Sequence, residues 1–222
     1  MKKVHDQTKL ANYIKTYNLQ DYMQADLLEL AALHFFKKGE HLIYLDEASD
    51  YLYFLVEGTI TVYSYSSDTQ NVCINYAKPV ALLGEASSLW DLPPKSSVKA
   101  VSDCVCVSIS LKKHRKKLQN DVLFLQNICR LLSQRLNSGI TVANSLTEPV
   151  KVRLAKFILQ NSKEKRFDCQ LTTCAEMLNV SYRHLLRTIT EFRKAEIITK
   201  KENYYIINTP KALEEIIFKQ HS

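Results

Sequence analysis

The chain has 222 residues, of which 46% are hydrophobic and 24% charged, which favours a soluble globular protein and excludes a disordered or membrane-embedded chain. Its apolar runs are too short to cross a bilayer and its start lacks a signal-peptide core, so we expect a cytoplasmic protein with no membrane partner. In that compartment the six cysteines are expected to stay reduced.

The positive charge is confined to the second half of the chain. Residues 1–111 carry 9 Lys/Arg against 13 Asp/Glu, whereas residues 112–222 carry 21 against 10, giving balances of −4 and +11. Such an asymmetry is expected when one half faces a polyanion, although a basic tail on an enzyme would also produce it.

The N-terminal half changes from a helical to a strand pattern. Apolar spacing predicts a mainly helical segment over residues 4–36. Strands are predicted within 52–62, where the chain breaks at Glu57-Gly58, and at 71–76 and 98–111. Several short strands at this spacing favour a jelly roll or barrel.

A long helix is predicted over residues 120–147. Asn120 and Asp121 suit its start, and Glu148-Pro149 ends it because proline cannot continue a helix. Apolar and small residues recur inside it at alternating three- and four-residue spacing: Val122, Leu125, Cys129, Leu132, Leu136, Gly139, Ala143 and Leu146. This pattern predicts a helix–helix seam, and a length of about 40 Å favours a homodimer over packing within one chain.

Residues 171–189 predict two short helices with a tight break. Asn179 tolerates a left-handed turn, and Ser181 is a good N-cap for the second helix. That helix exposes Tyr182, Arg183, His184 and Arg187, which indicates the recognition helix of a helix-turn-helix. The alternative is an ordinary helical hairpin with a solvated basic face.

The motif is flanked by elements that complete a winged arrangement. A helix is predicted over Val150–Leu159 and a charged loop over 161–167. After the motif, residues 197–208 predict a hairpin turning at Lys201–Asn203, whose tip would bring Lys200 and Lys201 to a phosphate strand.

In this order the chain resembles the Crp/Fnr superfamily of bacterial transcription regulators from about Phe36 to Ile207. Gly39, Gly58 and Gly84-Glu85 punctuate the sheet as in that family, and two stretches, 120–129 and 175–186, look similar to the YeiL-type branch. The resemblance implies an α+β fold with a cyclic-nucleotide-binding-like β-roll (jelly roll), a dimerisation helix and a C-terminal winged helix-turn-helix. We assign these to 1–118, 119–147 and 148–222.

The resemblance also implies a homodimer that binds palindromic double-stranded DNA near promoters and meets RNA polymerase there. By position, Tyr182, Arg183, His184 and Arg187 would contact bases and phosphates, next to the capping Ser181. Thr172 and Thr173 would meet backbone phosphates. Better-known members have Arg-Glu where Tyr182-Arg183 stands here, so we expect a different operator.

For the sensor, the family holds cyclic AMP with a Gly-Glu pair and a downstream arginine next to a small polar residue. The matching positions here are Gly84, Glu85, Lys95 and Ser96. Lysine lacks arginine's bidentate fork, which argues against cyclic AMP as the effector. Gly84-Glu85 is better explained as a structural turn of the β-roll than as a ligand contact, and the effector stays unknown.

The cysteines and histidines are the other residues of the chain that could carry chemistry. The first cysteine is Cys73, so the N-terminal iron–sulfur cluster of one family branch is not expected. Cys104 and Cys106 share one face of a predicted strand. If Val105, Val107 and Ile109 face the core, both thiols point outward and redox sensing is a hypothesis; the alternative is that they are small strand residues. The histidines lack metal-ligand spacing, so no metal site is expected.

No phosphate loop or nucleophile motif is found either, and we expect no enzyme activity. A rival hypothesis is a ligand- or redox-sensing module whose winged helix binds protein.

Overall fold

The computed structural model describes residues 1–65 and 71–218, and the chain divides into two compact units, Met1–Leu136 and Asn137–Ser222. Each unit has a hydrophobic core, and the fold is α+β. None of the described helices is long and apolar enough to span a membrane.

The first unit is built on two antiparallel sheets. Its described strands are β1 (Lys2–Val4), β2 (Ala31–Phe36), β3 (His41–Ile43), β4 (Tyr51–Glu57), β5 (Ile60–Tyr65), β6 (Asn71–Ala77), β7 (Ala81–Leu83), β8 (Ser97–Ala100) and β9 (Cys104–Ser110). The strand orders are β1-β2-β9-β4-β7 and β3-β8-β5-β6. The predicted turn at Glu57-Gly58 is confirmed, and it joins the first sheet to the second. This arrangement confirms the predicted jelly roll.

Helices cover the outer side of the first sheet. They are α1 (Gln7–Thr16), α2 (Leu27–Leu30), α3 (Leu111–Gln119) and the start of α4 (Val122–Leu146). The prediction of a mainly helical segment over 4–36 is wrong at its end, because residues 31–36 form β2. Leu27, Leu30 and Leu33 fit helical spacing, but from Ala31 onward the backbone pairs with β9, a partner far away in the chain.

Strand β9 lies in the middle of its sheet and is buried on both faces. Val105, Val107 and Ile109 face a core, which is the condition considered in the prediction, and this core lies under the helices; Cys104 and Cys106 pack into a second core between the two sheets. The expectation that both thiols point outward is therefore wrong, since a second sheet covers the face left free in the prediction. Burial also raises the pKa of both thiols, so the redox hypothesis loses its structural basis.

Asp121 begins the long helix α4. Its carboxylate accepts hydrogen bonds from the backbone N–H of Phe124 at 3.0 Å and from those of Gln24 and Ala25 at 2.8 and 2.9 Å. It therefore caps α4 and fixes the N-terminal segment against it. Asn120, the other predicted start residue, instead ends α3.

The second unit has the predicted order of helix, two-helix motif and hairpin. Its described elements are α5 (Val150–Asn161), β10 (Ser162–Lys163), β11 (Arg166–Phe167), α6 (Leu171–Met177), α7 (Tyr182–Lys194), β12 (Ile198–Lys200), β13 (Tyr205–Ile207) and α8 (Pro210–Phe218). The loop predicted over 161–167 is in fact a hairpin that extends the sheet to β10-β11-β13-β12. Glu164 and Lys165 turn it with φ of 49° and 66°, conformations that its charged sequence did not suggest.

Candidate functional site

The turn between α6 and α7 has the geometry predicted from the sequence. Asn179 adopts a left-handed φ of 49°, and the N–H of Val180 returns to the carbonyl of Ala175 at 3.0 Å. Ser181 is extended, and its Oγ accepts a hydrogen bond from the N–H of His184 at 3.2 Å. These local bonds end one helix, start the next and set the direction in which α7 leaves the turn.

Helix α7 divides into a buried face and a polar face. Leu185, Thr188, Ile189 and Phe192 are buried against the other elements of the second unit. Of the predicted contact residues, His184 is half-buried. The other three side chains are exposed: Tyr182, Arg183 and Arg187. The first turns of α7 therefore present hydrogen-bond donors to solvent, with no acidic residue in the first turn.

Further predicted contacts lie on the elements next to α7. Thr172 is exposed and Thr173 half-buried in the first turn of α6. The hairpin of β12 and β13 turns where predicted, with the N–H of Lys201 donating to the carbonyl of Tyr204 at 2.8 Å. Lys200 and Lys201 are both exposed at this tip.

Three basic side chains of this surface were missed in the sequence analysis. Arg193 and Lys194, in the last turn of α7, line an open polar recess together with Lys200. Arg166 of β11 lies 4.0 Å from the ring centroid of Tyr204, beside the hairpin tip. Basic residues such as Arg193 and Lys194 are common at the end of any helix, so they do not indicate a DNA contact by themselves. Arg166 lies beside the hairpin only because β11 pairs with β13, and no local sequence pattern indicates this pairing.

The predicted effector residues are only partly brought together. Gly84, Glu85 and Ser96 line a cavity of about 110 Å³ in the first unit. Lys95 does not line it: its side chain is 81% exposed, and Nζ pairs with Asp46 at 2.8 Å. The cation expected for a phosphate therefore lies outside this cavity.

Arg135 of α4 supplies the positive charge that the cavity does have. Its guanidinium donates to Oε1 of buried Glu85 and, at 2.7 Å, to the carbonyl of Leu82. Burial raises the pKa of the Glu85 carboxyl, and the charge of Arg135 opposes this rise. Within the described part of the chain, Oε2 of Glu85 has no hydrogen-bond partner, so it is available to a hydroxyl or amino donor. Sequence reasoning missed Arg135, which lies 50 residues from Glu85.

The predicted seam lies mostly on the solvent side of α4. Phe124 and Ile128 face the core of the first unit, whereas Leu136 is 66% exposed. The other predicted positions for which side chains are described are exposed or half-buried: Val122, Leu125, Cys129, Leu132, Gly139 and Ala143. An exposed row of apolar and small residues along a long helix is typical of an interface.

Across residues 1–65 and 71–218, no group of three or more His, Cys, Asp or Glu side chains is placed to hold a metal ion. The candidate surfaces are therefore the polar face of α7 with its neighbours, the cavity around Glu85 and the exposed row of α4.

Comparison with known families matches both units. The family model of the cyclic nucleotide-binding domain matches residues 33–121, and that of the Crp-like helix-turn-helix domain matches residues 152–216. The cavity residues Gly84 to Ser96 lie in the first match, and the helices α6 and α7 in the second.

Individual proteins agree with these matches. The chain is 26% identical over 195 residues to the regulatory protein YeiL of Escherichia coli O157:H7, covering 87% of this chain and 89% of that protein. It is 28% identical over 133 residues to the cAMP-activated global transcriptional regulator CRP of Pasteurella multocida, spanning 59% of this chain and 64% of that protein. The solved structure of FixK2 from Bradyrhizobium japonicum shares the fold, with a TM-score of 0.67 over 84% of this chain and 97% of that chain at 16% identity.

Proposed function

Because the chain belongs to the Crp/Fnr family of transcription regulators, we propose that it binds palindromic promoter sites as a homodimer under the control of its N-terminal unit. The observation that carries the proposal is helix α7, which buries one face and offers Tyr182, Arg183 and Arg187 from the other. Arginine at such a position reads guanine through a bidentate pair of hydrogen bonds in the major groove.

The exposed row on α4 supports the dimer. In a single chain Leu136 would remain in water, whereas a second α4 packed against it would bury the row, and the small Gly139 and Ala143 allow close approach. Two-fold symmetry would then place the two α7 helices on successive major grooves about 34 Å apart, which is why we propose a palindromic site.

The cavity around Glu85 supports control by a small molecule. A ligand that hydrogen-bonds Oε2 of Glu85 would share this carboxylate with Arg135, and since Arg135 lies on α4, ligand binding would be coupled to that helix. The Pasteurella multocida relative is named as cAMP-activated. In this chain Lys95 pairs with Asp46 outside the cavity and Arg135 is already neutralised by Glu85, so we propose an effector other than cyclic AMP. Contact with RNA polymerase would follow from binding at a promoter.

The test is binding of purified protein to genomic promoter fragments, followed by footprinting of the bound site. We expect Arg183→Ala to weaken specific binding by about 1–3 kcal/mol and to relax the preference at one base position. Lys15→Ala, which removes one positive charge from α1 in the first unit, is the matched control and should bind as wild type. An unchanged footprint and specificity in Arg183→Ala would exclude α7 as the reading helix.

The rival function, a winged helix that binds protein, gives a different result in the same assay. Such a protein would show no salt-dependent shift of any promoter fragment, because its basic surface would not release counterions from DNA.

A further inference from the structure

Two cysteines lie next to each other at the start of α6. Gln170 is the N-cap of this helix, so Cys169 directly precedes the cap and Cys174 is the fourth residue of the helix. Side chains at these two positions commonly pack against each other across the first helical turn. Here both side chains contact the core of the second unit, the two thiols interact with each other, and the Cys169 thiol also donates to the carbonyl of Gln170 at 3.5 Å.

The environments of the two thiols differ. Cys174 is fully buried, whereas Cys169 is half-buried. The hydrogen bond from Cys174 lowers the pKa of the Cys169 thiol, and the same bond together with burial raises the pKa of Cys174. Cys169 is therefore the more accessible and the more easily ionised of the pair, which are the two properties of a reactive thiol.

We propose that Cys169 and Cys174 form a dithiol site that reduces a peroxide and closes to an intrachain disulfide. Neither this pair nor its chemistry belongs to the DNA-contacting surface or to the cavity around Glu85. The pair also differs from Cys104 and Cys106, whose thiols are both buried between the sheets.

The reaction takes place in two balanced steps. The thiolate of Cys169 attacks one peroxide oxygen; an S–O bond forms, the O–O bond breaks, and the leaving hydroxide is protonated to water. The sulfur of Cys174 then attacks the sulfur of the Cys169 sulfenic acid, so that an S–S bond forms and the S–O bond breaks. The second hydroxide leaves with the proton of Cys174 as water. Two thiols are oxidised by two electrons in total, and hydrogen peroxide is reduced to two water molecules.

Closure of the disulfide would alter the first turn of α6. The sulfur atoms must approach to about 2.05 Å, closer than two hydrogen-bonded thiols. Thr172 and Thr173 occupy the turn between the two cysteines, and they are proposed phosphate contacts. We therefore expect oxidation to lower DNA affinity about tenfold, because one or two of these phosphate contacts would be lost. This consequence rests on the proposed function, whereas formation of the disulfide does not.

The chain offers a direct measurement of the disulfide. Trypsin cleaves after Arg166 and Arg183, and the peptide 167–183 between them contains Cys169 and Cys174 but no other cysteine. After treatment of the full-length protein with hydrogen peroxide and blocking of free thiols, we expect this peptide to lose two hydrogens and to take up no blocking group. A peptide that stays fully blocked, carries only added oxygen or is linked to another peptide would overturn the proposal.

Two variants separate this site from other thiols. Cys169→Ser should keep peptide 167–183 from losing two hydrogens, whereas Cys73→Ser, which removes a half-buried cysteine of β6 in the first unit, should leave the reaction unchanged. In Cys174→Ser we expect a sulfenic acid at Cys169 that a dimedone probe traps. If that buried substitution prevents folding, the wild-type peptide and Cys169→Ser still decide the question.

The proposed function can fail independently. Reduced protein that binds no promoter DNA while peptide 167–183 forms its disulfide would remove the function and keep the dithiol site. If the reduced protein binds DNA while the peptide stays unoxidised, the proposed function stands and the dithiol site is excluded.

Discussion

The guanidinium of Arg135 on α4 donates to the buried carboxylate of Glu85 in the first unit. Burial of a carboxylate is costly unless a charge or hydrogen bond compensates, and Arg135 provides both. The same contact joins the wall of the candidate effector cavity to the helix that carries the proposed dimer seam. Its loss should therefore be visible in stability as well as in regulation.

Arg135→Met should destabilise the first unit, by an amount that depends on pH. Without Arg135 the folded pKa of Glu85 rises further above its unfolded value of 4.5. The folded state then binds more protons than the unfolded state, so the free energy of unfolding falls as pH rises from the unfolded pKa through the folded one. We expect a loss of about 1–3 kcal/mol at about pH 8 and a smaller loss at about pH 5.

Urea unfolding followed by the fluorescence of Trp90, the single tryptophan, reports on this unit. In a Glu85→Gln background the titrating carboxyl is absent. There the loss of unfolding free energy caused by Arg135→Met should no longer depend on pH. If the single variant Arg135→Met lost the same unfolding free energy at both pH values, the unpaired Glu85 carboxylate would not be the cause of the loss.

Gly58 should be far less tolerant of a side chain than Gly39. Both have φ of +90°, which strains any residue with a Cβ. At Gly58 the added Cβ would lie 2.7 Å from Sγ of Cys104 and closer still to the carbonyl of Asp103, whereas at Gly39 nothing lies within 4 Å. We expect Gly39→Ala to cost about 1–2 kcal/mol and Gly58→Ala about 2 kcal/mol more, because the turn after β4 and the adjacent start of β9 must move apart locally. The same urea titration measures the unfolding free energy of both variants. Equal losses would mean that only the backbone strain of a positive φ, and no steric clash, destabilises Gly58→Ala.

The local features of the second unit were predictable because their signals act over a few residues. Asn179 and Ser181 determine the turn before α7 by backbone conformation and one capping bond, so the sequence indicates the turn directly. The same holds for Pro149, which ends the long helix without help from other elements.

Features that depend on distant partners were not predictable in this way. Residues 31–36 became a strand because β9 was available to pair with them, and the helical spacing before them gave no warning. Strand alternation correctly grouped Cys104 with Cys106, but only the second sheet shows that their face is buried. The contact between Glu85 and Arg135 joins elements 50 residues apart, and neither residue carries a pattern that indicates the other.

Lys201→Ala should weaken binding to all DNA sequences by the same factor. Lys201 lies exposed at the hairpin tip, where a phosphate contact is expected but no base edge. Loss of one phosphate contact should reduce the slope of log affinity against log salt by about 0.9. Fluorescence anisotropy over a range of salt concentrations measures this slope, on the preferred site and on an unrelated duplex. A changed base preference with an unchanged slope would place Lys201 at a base rather than a phosphate.

Leu136→Glu should dissociate the proposed dimer. The side chain is 66% exposed in the single chain, so the substitution removes little packing within it. In a seam, however, two glutamates would face each other in an apolar interface, where unpaired charges are strongly unfavourable. Gln134→Glu adds the same charge to the same helix at an exposed position, two residues away and outside the predicted repeat, and it serves as the matched control. Analytical ultracentrifugation should give a dimer for wild type and Gln134→Glu and a monomer for Leu136→Glu. A Leu136→Glu protein that remains dimeric would show that the two copies meet through another surface.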